Sequence, residues 1–402
     1  MENNFLSDRI NALAESETLA MTRRSRELKA QGFDVINLSI GEPDFNTPEH
    51  VKDAAKEAID QNFSHYPPVP GYPELREAIA LKLKRDNNLD YKADQIVVST
   101  GAKQALANAI LCLLNPGDEV IVPAPFWVSY KELIKLAEAK AVYINTTIAS
   151  DYKVTPSQIE AAITPSTKLF IFNSPCNPSG TVYTHEELKA FAEVFERHPN
   201  IFIISDEIYE YINFTGKHYS IASFGSIHDR VIIINGLSKG FAMTGWRLGY
   251  LAACREIAKA CDKLQGQFTS GTCSISQRAA ITAMKTDPAE SEDIKSMIHA
   301  FKYRRDLAIS MLKQIPGITV NVPDGAFYLF PEISQYFGKS NGSHVINSGA
   351  DLCDYILDTA YVALVPGSAF GTPNCIRISY ATSEDNLQEA IRRIETALSK
   401  LS

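Results

Sequence analysis

Seven short runs rich in Val, Ile and Phe lie between residues 95 and 253, each closing on a turn: "QIVVSTG", "DEVIVPAP", "KAVYIN", "KLFIFNSP", "NIFIISDE", "RVIIINGLSK" and "RLGYLAA". Stretches with helical spacing, at 103–114, 127–138, 185–197 and 255–265, separate most of them. Near-continuous apolar runs are the mark of strands buried on both faces, and parallel neighbours need crossover helices between them. This pattern predicts an α/β fold: a mostly parallel central sheet sandwiched by helices. Two further amphipathic helices are expected ahead of it, at 48–62 and 73–87, the second with Pro73 at an early position.

From about residue 287 the texture changes. A long charged helix, "SEDIKSMIHAFKYRRDLAISMLKQI", precedes "ITVNVPDGAFYLFPEI", "YVALVPGSAFG" and "CIRISYA", which read as antiparallel, and a closing helix at 383–400. This is the pattern of a smaller α+β domain. "DVINLSIGEPDF" is a strand and turn without a nearby partner, so the N-terminal segment is expected to pack there. The expected organisation is an N-terminal arm over 1–47 that forms part of the small domain, a large α/β domain over 48–286, and a small domain over 287–402.

A chain of 402 residues with a net charge of −8 lacks the overall basic character of a general nucleic-acid binder, although a locally positive cleft stays open to it. The start, "MENNFLSDRINALAESETLAM", lacks a basic stretch leading into an apolar core, and no apolar run has the length of a membrane span. The seven cysteines are scattered with no CxxC pair, the usage of reduced thiols and not of a zinc site or disulfide framework. A cytoplasmic protein with no membrane or nucleic-acid partner and no metal is expected.

In an open parallel sheet, ligands bind beyond the carboxyl ends of the strands. Four such ends carry polar residues: Thr100-Gly101-Ala102-Lys103, opening a helix; "NSPCNPSG", with Asn177; Asp206, with Tyr209 a turn later; and Lys239 in "GLSKGFAMTGWRLG", followed by Arg247. Singly, each has a mundane explanation as a turn, a helix cap or a solvated lysine. Together they describe one ligand: an anionic group for the helix N-terminus and Arg247, a ring for Asp206 to pair with, and an aldehyde for Lys239. That ligand is pyridoxal phosphate.

The segments "LSIGEPDFNTP", "YPPVPGYPELREA", "TGAKQAL", "NSPCNPSG", "SDEIYE", "GLSKGFAMTGWRLG" and "RISYATSEDNL" together resemble the fold-type-I, class I aminotransferases that use pyridoxal phosphate. They are most similar to the bacterial-type aspartate aminotransferases of that class, and the likeness covers nearly the whole chain. Cys176 stands where such proteins often carry another polar residue.

The resemblance implies a role for each residue. Lys239 would form the Schiff base and then shuttle a proton, its amine made basic by burial and neighbouring charge. Asp206 would keep the pyridine nitrogen protonated so that the ring accepts electrons. Asn177 and Tyr209 would bond the phenolic oxygen, and Trp127 would stack on the ring. The N–H groups of Ala102 and Lys103 would hold the phosphate with Arg247, joined by Tyr66 from the neighbouring subunit of a homodimer with shared sites. Arg377 would take the substrate α-carboxylate, helped by Asn177 and the backbone of Gly41. Lys103 and Thr18 would receive a distal carboxylate.

Aspartate and 2-oxoglutarate are therefore the expected substrate pair, exchanging the amino group by a ping-pong route. Prephenate, giving arogenate, and aromatic amino acids remain open as alternatives. A non-catalytic regulator that binds pyridoxal phosphate would be expected to carry a DNA-binding module, for which the forty-odd residues before "IGEPDF" leave no room. A dinucleotide enzyme would need a glycine fingerprint after the first strand and leaves Lys239 unexplained.

Overall fold

The computed structural model describes residues 5–342 and 344–402; the first four residues of the expected N-terminal arm lie outside this range. Strand β1 (Ile36–Asn37) comes first, followed by seven strands that form one sheet. These are β2 (Ile96–Ser99), β3 (Glu119–Ala124), β4 (Lys140–Asn145), β5 (Thr167–Asn173), β6 (Phe202–Asp206), β7 (Val231–Gly236) and β8 (Gly249–Ala252), in the order β2-β8-β7-β6-β5-β3-β4. All neighbours are parallel except β8, which runs antiparallel to both β2 and β7. This is the fold class that the apolar runs predict.

Alternation along each strand divides the core between the two faces of the sheet. Ile121, Phe170, Ile203 and Ile233 face one way, onto helices Pro73–Asn87, His185–Arg197 and Ser274–Lys285. Val120, Leu169, Ile204 and Ile232 face the other, onto helices Ala102–Leu113 and Arg255–Phe268. Each such side chain contributes roughly 1.5–3 kcal/mol relative to an exposed position, so a strand slipped by one residue would exchange both cores at once.

A third core joins the N-terminal segment to the C-terminal part: Ile36 and Leu38 pack with Phe301, Leu329, Ile356, Ile378 and Ile391. It is built on helices Glu292–Leu312, Gly349–Ala360 and Glu384–Leu398 and on β9 (Tyr328–Leu329), β10 (Val362–Ala363), β11 (Val365–Pro366) and β12 (Ile376–Ser379). The strands β11, β12 and β9 form an antiparallel sheet. The reading of this region as antiparallel throughout needs correction, because β10 pairs in parallel with β1, through Ile36↔Val362 and Asn37↔Ala363. Leu364 divides "YVALVPG" into two short strands with different partners, an arrangement that no local pattern announces. The "ITVNV" stretch contributes only an isolated bridge, Thr319 with Glu332.

Because β5, β6 and β7 are parallel, and β8 reverses between β7 and β2, the carboxyl ends of β2, β5, β6 and β7 share one edge of the sheet. There the chain places Thr100–Lys103, Asn173–Asn177, Asp206–Tyr209 and Lys239.

Candidate active site

A cavity of about 430 Å³ opens at this edge, and Thr18, Gly41, Ala102, Lys103, Trp127, Asn177, Asp206, Tyr209, Lys239, Arg247 and Arg377 all line it. Of the residues singled out from the sequence, Tyr66 stands apart: it is 93% exposed and borders a separate surface depression with Phe63 and Ile275.

The cavity is electropositive within an acidic protein. Arg26, Lys103, Lys239, Arg247 and Arg377 line it against two carboxylates, Glu42 and Asp206. Among the described residues none of Lys103, Lys239, Arg247 and Arg377 forms an ion pair with a carboxylate. Arg377 is buried, Lys239 is half-buried, and Lys103 and Arg247 are more exposed. Cations withdrawn from water without counter-ions are unfavourable unless a ligand supplies the negative charge.

Lys239 reaches this position through the turn after β7 and donates to the Gly41 carbonyl. Burial pulls its amine down to about 8; Glu42 opposes this shift, while Arg377 and Arg247 add to it. About a tenth of the amine is therefore neutral at pH 7, far more than for an exposed lysine, and the neutral form is what a nucleophile or base requires. Asp206 shows the converse: burial pushes its carboxyl up to about 6, and a hydrogen bond from the Tyr130 hydroxyl (2.7 Å) pulls the other way.

At the end of β2, Gly101 adopts a φ of +81°, and a Cβ there would meet Nη2 of Arg247 at 2.4 Å. Only glycine lets the guanidinium lie against the start of helix Ala102–Leu113, whose first N–H groups have no partner within the helix. Arg247 is itself left-handed, with a φ of 53°, and donates Nη1 to the Thr244 carbonyl at 2.9 Å. Helix N-terminus and guanidinium together make an anion cradle.

Arg377 sits on β12, the middle strand of its sheet, and is 2% exposed. A surface arginine on an edge strand is thereby ruled out. Its guanidinium lies 4.5 Å from the Tyr328 ring centroid and 5.0 Å from that of Phe370. It donates to Asn177 Oδ1 (3.0 Å) and to the Ser39 carbonyl (2.6 Å), while Nε is buried without a partner. A planar cation stacked on rings, with donor capacity left over, is suited to a carboxylate.

Asn177 is held by its own N–H, which donates to Asn173 Oδ1 at 2.7 Å, and Asn173 in turn donates to the Asp206 carbonyl. Tyr209 shares a hydrogen bond of 2.8 Å with Tyr328. The Lys103 ammonium lies 5.0 Å from the Trp127 ring centroid, and partial burial, then Arg247, lower its pKa. Thr18 stands at the mouth on helix Glu17–Ala30, where its carbonyl accepts from Thr22.

Residues of the site that escaped the sequence reading include Asn173 and Tyr328, which line the cavity, and Tyr130, which lies outside the lining and donates to Asp206. Tyr130 is three positions after Trp127, one helical turn, so the "FWVSY" spacing could have revealed it; its ring meets Trp127 edge-on at 5.6 Å. Tyr328 and Asn173 carry no such signal, because each acts through a partner distant in sequence.

The family described as "Aminotransferase class I and II" matches residues 34–394. A bifunctional aspartate aminotransferase and glutamate/aspartate-prephenate aminotransferase of Petunia hybrida is 46% identical over 395 residues, covering 98% of this chain and 82% of that protein. The crystal structure of the aspartate aminotransferase of Rhizobium meliloti superposes with a TM-score of 0.95 at 42% identity, covering 99% of each chain. That of Thermus thermophilus with maleate gives 0.92 at 38%, covering 98% of this chain and 99% of that one.

Proposed function

This chain belongs to the class I and II aminotransferases, whose cofactor is pyridoxal phosphate, and on that premise we propose that it moves the amino group of L-aspartate to 2-oxoglutarate, giving oxaloacetate and L-glutamate. The observation that carries this reading is the set of unpaired cations around one neutralisable lysine. The donor set fits pyridoxal phosphate: the glycine-lined cradle for a phosphate, the buried carboxyl of Asp206 for a ring nitrogen, and the Lys239 amine for an aldehyde.

When bound, the cofactor supplies an aldehyde to which amines attach and a ring that takes up the electron pair left by the departing α-proton. Lys239 would hold the cofactor, yield to the substrate amine, and then move the α-proton with its freed Nζ. Asp206, paired with a protonated ring nitrogen, would fall from its raised value and stay ionised, holding that proton in place. Asn177 and Tyr209 would donate to the phenolic oxygen, and Trp127 would cover the ring. Arg247 and the N–H groups of Ala102 and Lys103 would grip the phosphate. Arg377 would orient the α-carboxylate, with Gly41 and Asn177 beside it, and Lys103 and Thr18 would receive the distal carboxylate. The same two carboxylate positions serve 2-oxoglutarate in the return half.

Tyr66, exposed in the single chain, would complete the cavity of a second copy in a homodimer. The large domain, 48–286, would carry the cofactor, while 1–47 and 287–402 would close over the substrate and exclude water. Cytoplasmic location belongs to the same reading.

A second reading, amination of prephenate, is favoured by one observation: Arg26 adds a further cation to the cavity lining, available to a bulkier dicarboxylate. Relatives carrying the aspartate/prephenate name support the same alternative. The deciding experiment gives cofactor-loaded protein L-aspartate, arogenate or phenylalanine separately, with no oxo acid present. Aspartate should bleach the visible absorption at the lowest concentration and release oxaloacetate. Preferential bleaching by arogenate would replace the aspartate assignment, and no response to any amino acid would overturn the transaminase reading.

A further inference from the structure

The segment Asp206-Glu207-Ile208-Tyr209-Glu210-Tyr211 has two faces. Asp206, Ile208 and Tyr209 line the cavity, while Glu207, Glu210 and Tyr211 point behind it. Beyond β6 this segment has no helix or sheet ladder to hold it. At its start the segment is tied to the sheet, where the Asp206 carbonyl accepts from the Ser174 N–H at 3.1 Å and the Glu207 N–H donates to the Ile234 carbonyl at 2.9 Å. Past Glu207 the backbone bonds are local, Glu210 N–H to the Glu207 carbonyl at 2.9 Å and Ile212 N–H to the Tyr209 carbonyl at 2.8 Å.

Side chains on the far face take over. Glu210 forms an ion pair with Lys82 and accepts from Asn87 Nδ2 at 3.0 Å. Lys82 is 1% exposed and also donates to Asn87 Oδ1 at 2.8 Å. The Tyr211 hydroxyl donates to Asp86 Oδ2 at 2.6 Å. Lys82, Asp86 and Asn87 all belong to the last turns of helix Pro73–Asn87. Glu207 is anchored separately, by Ser205, Ser220 and His218.

A buried ion pair gives little net stability, since apolar side chains of similar volume commonly do as well or better. What it adds is one defined geometry. Tyr209 is flanked immediately by Glu210, so wherever Glu210 is pinned, Tyr209 is pinned too. We propose that Lys82 and Glu210 are positioning residues for Tyr209, tying the cavity floor to helix Pro73–Asn87 so that the tyrosine hydroxyl is held at its working distance from Lys239 and the bound cofactor. This rests on the pyridoxal phosphate reading of the cavity.

The test is a cycle on the cofactor-loaded protein. The double variant Lys82→Met/Glu210→Leu removes both charges together and is compared with wild type, alone and in a Tyr209→Phe background. Read out are the unfolding midpoint, the pH midpoint of the cofactor's visible absorption, and kcat and KM for aspartate. The double variant should unfold near the wild-type midpoint, lose roughly 10- to 100-fold in kcat with KM changed far less, and shift the absorption midpoint by about half a pH unit or more.

In the Tyr209→Phe background the same double change should move the absorption midpoint no further, because both alterations act on one hydroxyl. An additive shift there, or no shift with Tyr209 present, overturns the proposal and leaves the pair a structural anchor. Should the double variant fail to fold, Glu210→Gln, which keeps the side chain's shape and one acceptor oxygen and loses its charge, decides by the same cycle. A wild-type protein that takes up no pyridoxal phosphate overturns the cofactor reading itself, and this proposal with it.

Discussion

Two lysines are withdrawn from solvent on opposite sides of the segment that follows β6, and their surroundings differ in kind. Lys82, behind the segment, meets the carboxylates of Glu210 and Asp86, an amide and the face of Tyr211 5.3 Å away. Lys239, in front, meets one backbone carbonyl, lies 5.8 Å from the ring centroids of Tyr209 and Phe327, and among the described residues pairs with no carboxylate. The first charge is fully answered by the protein, so it acts only by holding its neighbours in place. The second is left for something that arrives. A buried cation lacking its counter-ion is a stronger pointer to function than the presence of a lysine.

The contrast predicts different failures. Lys239→Ala should abolish turnover, by roughly 10⁴-fold or more, the upper end for loss of a proton-transferring group. It should leave folding intact and remove the cofactor's lysine-linked absorption, and a variant that still turns over efficiently would end the catalytic assignment. Lys82→Met should act first on folding, lowering unfolding stability by about 3–5 kcal/mol because Glu210 is left buried and uncompensated. A stable Lys82→Met protein in a denaturant titration would erase the distinction between the two lysines.

Arg377→Gln removes a cation that is partly answered by the protein and partly free. Its expected cost is about 2–5 kcal/mol in kcat/KM for every α-amino acid alike. Lys103→Ser should be milder and selective, raising KM for aspartate about tenfold, the equivalent of ~1.4 kcal/mol, while sparing phenylalanine. Equal losses for both substrates would remove the argument for an acidic side chain.

The subtlest difference is in pH. In the free protein Lys239 titrates near 8, below its unfolded value of 10.5. The unfolded chain therefore binds the extra proton in that window, and stability should rise as pH climbs from about 8 toward 10.5. Lys239→Met should flatten that slope. The rate at which free protein captures pyridoxal phosphate should likewise rise through about pH 8, because only the neutral amine attacks; a rate independent of pH across that range would contradict the lowered value.

Much of this was legible in the sequence. The seven apolar runs correspond to the seven strands of the large sheet, because a strand buried on both faces writes its own composition. The residues at the four strand ends meet in one cavity, because parallel strands bring their carboxyl ends to one edge. The C-terminal region was read less well: strands of two residues carry no periodicity, and the parallel partner of β10 is more than three hundred positions away, at β1.

By itself the sequence determined the α/β sheet, the edge at which chemistry gathers, and the residue types present there, since each follows from local pattern and strand direction. Only the tertiary structure decided which charges are answered and which are not. The residues flanking the two lysines, "ALKLKRD" around Lys82 and "GLSKGFA" around Lys239, do not say which of them finds a counter-ion. Glu210 and Gly41, the groups that tell them apart, are brought up from distant parts of the chain, and charge compensation depends on distance in space, over which the order of residues has no direct say.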